Sequence, residues 1–144
     1  KIFKIIDFGR AIFTFKNKKF YNDVFSKNSE AYGQYYYPSQ IRFHKENEKN
    51  KIQPNYNFDL CRLSMTILDE LNKDISDKMM NLLNHMCTDK YGDNYRDMID
   101  DFSLYINISK NSVNSLPIDI LNHKIFKEYR VQKKNFPLKL YYKF

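Results

Sequence analysis

The sequence predicts a mainly α fold with a short β segment at its N-terminus, on three observations. Phe58 to Leu71 carries apolar side chains on nearly every helical face, with Phe58, Leu60, Cys61, Leu63, Met65, Ile67, Leu68 and Leu71. Ile75 to Met86 and Tyr91 to Ile106 repeat apolar residues at helical spacing. Lys1 to Ile6 is a β-branched apolar run that stops at Asp7-Phe8-Gly9. A period near 3.6 marks helices, whereas a short β-branched run bounded by Gly marks a strand.

In chain order, Lys1 to Ile6 is the expected strand, with the Asp7 carboxylate at its exit and Gly9 permitting the turn. Ala11 to Phe15 and Lys19 to Phe25 are expected to form a further short strand or an ordered loop. Ser26 to Pro38 reads as extended and surface-reaching, because Gly33 and Pro38 interrupt any helical run and Pro38 holds Tyr37 out of the α region. The polar run His44 to Lys51 reads as a solvated loop, which makes His44 a surface histidine.

The helix over Phe58 to Leu71 comes next, and apolar residues all round place it in the middle of the domain. A carboxylate such as Asp59 on a buried helix needs hydrogen-bond donors around it. Met79, Met80, Leu82, Leu83 and Met86 fill core space on the following helix, with His85 an ordinary helix residue. A third helix over Tyr91 to Ile106 is entered from the turn at Gly92 and carries Tyr95, Met98, Ile99, Phe102 and Tyr105 on one side. Asn107 to Ser115 reads as a polar loop. Pro117 then fits the first turn of a last helix through Ile118, Ile120 and Leu121.

With 144 residues, 42% of them hydrophobic and 17% aromatic, the chain has material for one domain with its own core and is not a disordered tail. It lacks an apolar run of eighteen residues and a signal-peptide pattern before Asp7, so no membrane span is expected and the expected setting is intracellular: the cytoplasm, with a host cytoplasm or a virion as the alternatives. Opening on Lys1, with a strand at once, it reads as a piece of a longer polypeptide. Cys61 and Cys87 lack metal-site spacing and sit in apolar helical surroundings, as reduced core thiols do. The net charge of +7 is concentrated at the end: Lys124 to Phe144 holds seven basic residues against Glu128, leaving the body nearly neutral. The basic, aromatic tail over 132–144 is therefore the candidate contact for a polyanion, nucleic acid or anionic lipid.

Three separated segments then line up in order. KIIDFGRA at 4–11 (with Lys4), FDLCRLSMTILDEL at 58–71 and LPIDILNHKIF at 116–126 resemble the C-terminal lobe of a eukaryotic-type protein kinase from its DFG motif onward. The first resembles the strand and metal-binding turn that open the activation segment. The second is similar to the central buried helix, with Asp59 at the family's helix-start Asp, Cys61 in place of its Trp, Ser64 near its Gly and Glu70-Leu71 at its end. The third looks like the closing helix, which commonly ends in an LL-x-H-P-x-F pattern. The wording DFGRAIFTFKNK, GQYYYP and PNYNFDLCRL is most similar to divergent kinase-like proteins of large DNA viruses and some protists.

The resemblance implies ATP and Mg²⁺ as cofactors, with Ile6 bordering the nucleotide pocket, Asp7 chelating the metal, Phe8 packing behind it and Gly9 allowing the turn. It implies that Asp59 accepts hydrogen bonds from the backbone of the catalytic loop. It divides the chain into a DFG and activation segment (1–39), an insertion or loop (40–55), a helical subdomain (56–131) and the tail, with Thr14, Ser26, Ser29 and Tyr32 as candidate phosphorylation sites. The implied activity is phosphoryl transfer to Ser or Thr hydroxyls of a protein substrate by the full-length protein. The Gly-rich loop, the strand Lys and the His-Arg-Asp loop with the base are expected upstream, in the N-lobe and catalytic loop of the same polypeptide.

The departures keep two alternatives open. Tyr37-Pro38-Ser39 stands where the family has Ala-Pro-Glu, and the Arg that usually pairs with that Glu is missing between Asp97 and His123. Loss of both members of a buried pair costs less than loss of one, so the site reads as repacked. Ser39 and Cys61 motivate a pseudokinase or scaffold, and the basic tail motivates an anion-binding module.

Overall fold

The computed structural model describes residues 9–35, 52–71 and 75–130. Within them the protein is mainly helical with one small sheet, as expected. The strand expected over Lys1 to Ile6, the loop at His44 and the tail over 132–144 lie outside the described residues.

Two short strands, β1 (Phe13–Phe15) and β2 (Lys18–Phe20), form an antiparallel hairpin with Phe13 opposite Phe20 and Phe15 opposite Lys18. Lys16 and Asn17 make the two-residue turn at φ 47° and 63°, the doubly left-handed geometry that matches strand twist. Phe13 and Phe20 stack with ring centroids 5.2 Å apart. A 3-10 turn over Asp23–Phe25, capped by the Asn22 side chain, brings Phe25 inward against Ala31 and Ile52. The stretch read as an insertion or loop (40–55) thus carries an anchored residue near its end, since Ile52 is fully buried.

Helix α1 spans Phe58–Leu71, the range the apolar run predicts. It is not apolar all round, however. Cys61, Ser64, Met65 and Leu68 form the buried stripe, while Asp59, Leu63, Thr66 and Glu70 lie on the opposite, exposed face. Helix α2 (Asp77–Met86) packs on α1, starting one residue after Ser76, whose hydroxyl accepts from the Met79 amide. Leu82, Leu83 and Met86 join the α1 stripe with Cys87, Tyr95, Leu104 and Ile108 to form the main core.

The helix expected over Tyr91 to Ile106 is displaced. Asp89 accepts from the amides of Tyr91 (2.7 Å) and Asp93 (3.0 Å), closing a tight turn in which Gly92 has φ +96°. Asn94 caps a short 3-10 turn, Tyr95–Asp97, and Asp101 caps helix α3 (Phe102–Asn111) by accepting from the Ser103 amide. Polar side chains that bond the local backbone stop helix at those points and restart it eleven residues late, at Phe102. The same shift makes Asn107 to Asn111 the end of α3, not the start of a polar loop. Helix α4 (Pro117–Asn122) begins with Pro as expected and runs into a 3-10 segment, Lys124–Tyr129.

Cys61 and Cys87 are free, buried thiols. Burial pushes Cys61 up to about 12 and Cys87 up to about 11, so both stay protonated at neutral pH. No described helix is long and apolar enough to cross a membrane.

Candidate functional site

The start of α1 is fixed by two asparagines in the segment Pro54-Asn55-Tyr56-Asn57. The Asn55 amide donates to the Ser112 carbonyl (2.9 Å) and the Ser112 hydroxyl (3.0 Å), while its oxygen accepts from the Asn57 backbone (3.0 Å) and side chain (2.9 Å). The Asn57 oxygen in turn accepts from the Ser115 amide (3.0 Å), and the Ser115 hydroxyl donates to the Asn57 carbonyl (2.7 Å). The entry to α1 is thereby tied to the connection between α3 and α4. Sequence reasoning missed this network; its one local signal is the pair of cap-forming Asn residues just before an apolar helix.

A chain of aromatic rings links the hairpin region to the helices. Phe25 meets Tyr35 at 5.3 Å, Tyr35 meets Phe58 at 6.4 Å, Phe58 meets Tyr105 at 6.1 Å, and Arg62 lies over the Tyr105 ring at 4.6 Å. The Ser109 hydroxyl also donates to the Gln34 carbonyl at 2.8 Å. These contacts hold the Gly33–Tyr35 strip against α3.

A cavity of about 860 Å³ opens between these parts, lined by Arg10, Ile12, Gln34, Tyr35, Phe58 and Asp59 among others. Asp59 stands in the first turn of α1, exposed on this cavity, and among the described residues no hydrogen bond or ion pair reaches its carboxylate. The expectation that Asp59 sits on a buried face is therefore corrected: it lies on the exposed face, opposite the Cys61–Met65–Leu68 stripe. An acceptor and a donor accompany it. Gln34 is 5% exposed, and its buried side-chain oxygen has no hydrogen-bond partner. Burial, with the nearby Asp59 carboxylate adding to it, pushes the Tyr35 hydroxyl up to about 12, so it remains a neutral donor.

Of the residues implied to hold nucleotide and metal, Ile6, Asp7 and Phe8 lie outside the described residues. Gly9 is placed: it forms an exposed turn with Arg10, the Asn22 side chain donates to its carbonyl, and Arg10 pairs with Glu30. Those two contacts fasten the residue that follows Asp7-Phe8 to the loop over 22–30. Among the described residues no group of three or more His, Cys, Asp or Glu comes together to hold a metal ion.

Among the candidate phosphorylation sites, Thr14 and Tyr32 are exposed, while the Ser26 and Ser29 hydroxyls hydrogen-bond each other at 2.8 Å. Comparison with protein families, curated protein sequences and solved structures finds no match.

Proposed function

We propose that this chain is the part of a protein-kinase C-terminal lobe running from the metal-binding turn to the closing helix. In this reading the full-length protein transfers the terminal phosphoryl group of Mg·ATP to Ser or Thr hydroxyls of a protein substrate. The observation that carries the reading is the outer face of α1. Asp59 is exposed on the cavity, and Leu63, one turn later on the same face, is 52% exposed. The carboxylate suits a backbone loop that offers N–H groups, which is what the family's catalytic loop offers, and the leucine leaves an apolar surface beside it for a packed segment. The buried Gln34 oxygen beside the same cavity is a second acceptor suited to a donor from that loop.

In this reading Ile6, Asp7, Phe8 and Gly9 form the nucleotide and metal edge of the site, with the catalytic base supplied from upstream. When bound, Mg²⁺ neutralises charge on the transferring phosphoryl group. The described residues have a positioning role: Asn22 and Glu30 hold the turn after Asp7, and the Asn55–Asn57 network sets the angle of α1 and hence the position of Asp59. The test is phosphate transfer from Mg·ATP to protein by the full-length product. Asp7→Asn is expected to lower the rate by about 100-fold or more, in the range of losing one charge-stabilising group. Transfer at the wild-type rate by that variant removes Asp7 from the mechanism.

A further inference from the structure

A second concavity, of about 950 Å³, lies between α2 and the 3-10 segment Lys124–Tyr129, and shares no lining residue with the Asp59 cavity. Lys78, His85, His123, Lys124 and Lys127 line it, with Glu128 as the acid among them. The three lysines are exposed, and among the described residues no ion pair or side-chain hydrogen bond engages them. Lys78 stands in the first turn of α2, where the helix dipole disfavours a cation, so its charge is not there to stabilise the helix. The Ile125 amide donates to His123 Nδ1 at 3.4 Å, which leaves Nε2 as the proton-bearing nitrogen of the neutral ring. The half-buried Ile125, with the edge of the core residue Leu82 beneath it, gives the groove an apolar floor.

We propose that this groove binds an acidic peptide segment of a protein partner, its carboxylates meeting the lysines and His123 and an aliphatic side chain lying on Leu82 and Ile125. The lining favours this occupant over other polyanions. Among the described residues the lining holds no Phe, Tyr or Trp, and His85 and His123 are the only rings on which a nucleobase could stack, against three lysines for carboxylates. Its cations surround a concavity, which an extended peptide enters and a planar membrane surface does not. The proposal does not depend on the phosphotransferase reading, and its test requires no catalysis.

The test is fluorescence anisotropy on the 144-residue chain, its fold checked by circular dichroism, with a labelled peptide of four Glu-Glu-Leu repeats. The Glu peptide is expected to bind at least tenfold more tightly than its Gln-Gln-Leu counterpart. Lys78→Glu with Lys127→Glu is expected to weaken binding at least tenfold, while Lys90→Glu with Lys110→Glu, an equal charge change at exposed positions outside the lining, leaves it within about twofold. Equal binding of the two peptides, no binding of either, or equal losses in the two double variants overturns the proposal. Tighter groove-dependent binding of oligothymidylate or of phosphatidylserine vesicles also overturns it, in favour of that ligand.

Discussion

Replacing Asn55 by Ala removes the side chain that ties the start of α1 to the α3–α4 connection. Four hydrogen bonds of 2.9 to 3.0 Å are lost, two of them donated to Ser112, which is 2% exposed. A hydrogen bond contributes about 1 kcal/mol net, and a buried acceptor left without a donor costs about 1 to 3 kcal/mol. Water reaches the half-buried Asn57 side and recovers part of the loss there, so the expected destabilisation is about 3 kcal/mol. Urea unfolding followed by far-UV circular dichroism at 25 °C measures it. Asn55→Asp discriminates further: it keeps the oxygen that accepts from Asn57 but sets a carboxylate against the Ser112 carbonyl, so it is expected to destabilise at least as much as Ala. A loss below about 1 kcal/mol for Ala, or an Asp variant as stable as the wild type, refutes the argument that this network holds α1.

Gly33 has φ +90°, a region that costs an L side chain strain although Ile106 leaves room for a Cβ at 3.7 Å; Gly33→Ala is expected to destabilise by at least about 1 kcal/mol, and an unchanged urea midpoint contradicts the placement of that turn. Leu68 is 1% exposed at the centre of the main core, so Leu68→Ala is expected to cost about 2 to 5 kcal/mol in the same assay, a loss under 1 kcal/mol refuting its burial. The folded thiols ionise near 12 and 11, but in the unfolded chain near the ordinary 9.0. The unfolded state therefore releases these protons first, and the stability they contribute is complete below about pH 9 and is lost progressively as pH rises from 9 through the folded values of about 11 and 12. Unfolding free energies at pH 7.5, 9 and 10 are expected to fall in that order. Iodoacetamide at pH 8 is expected to label neither cysteine until urea is added; rapid native labelling contradicts their burial.

Legibility followed the range of the forces involved. The bounds of α1 and the start of α4 were readable because a long apolar run and a Pro at the first helical turn act locally. The burial of α1 was not, since which apolar residues face the core depends on what packs against them: Leu63 lies outward while Ser64 is buried, its hydroxyl donating to the Leu60 carbonyl at 2.6 Å. The third helix was misplaced because Tyr95, Met98, Phe102 and Tyr105 hold helical spacing across Asp101, while the side chains of Asn94 and Asp101 cap and restart the backbone. The hairpin at Lys16-Asn17 lacked the Gly that usually marks such a turn. At the candidate site, Asp59 was singled out from sequence. Its exposure and the Asn55 clamp were not, because Asn55 and Ser112 are 57 residues apart.

The central claim is that the outer face of α1, with Asp59 and Leu63, receives an upstream segment of the same polypeptide that carries the catalytic loop. Hydroxyl-radical footprinting, read at Leu63 in the 144-residue chain and in the full-length protein, tests it most directly. The claim predicts that Leu63, 52% exposed here, is protected several-fold in the full-length protein, while the equally outward Leu121, 65% exposed on α4, is modified to the same extent in both. Equal modification of Leu63 in the two proteins contradicts it.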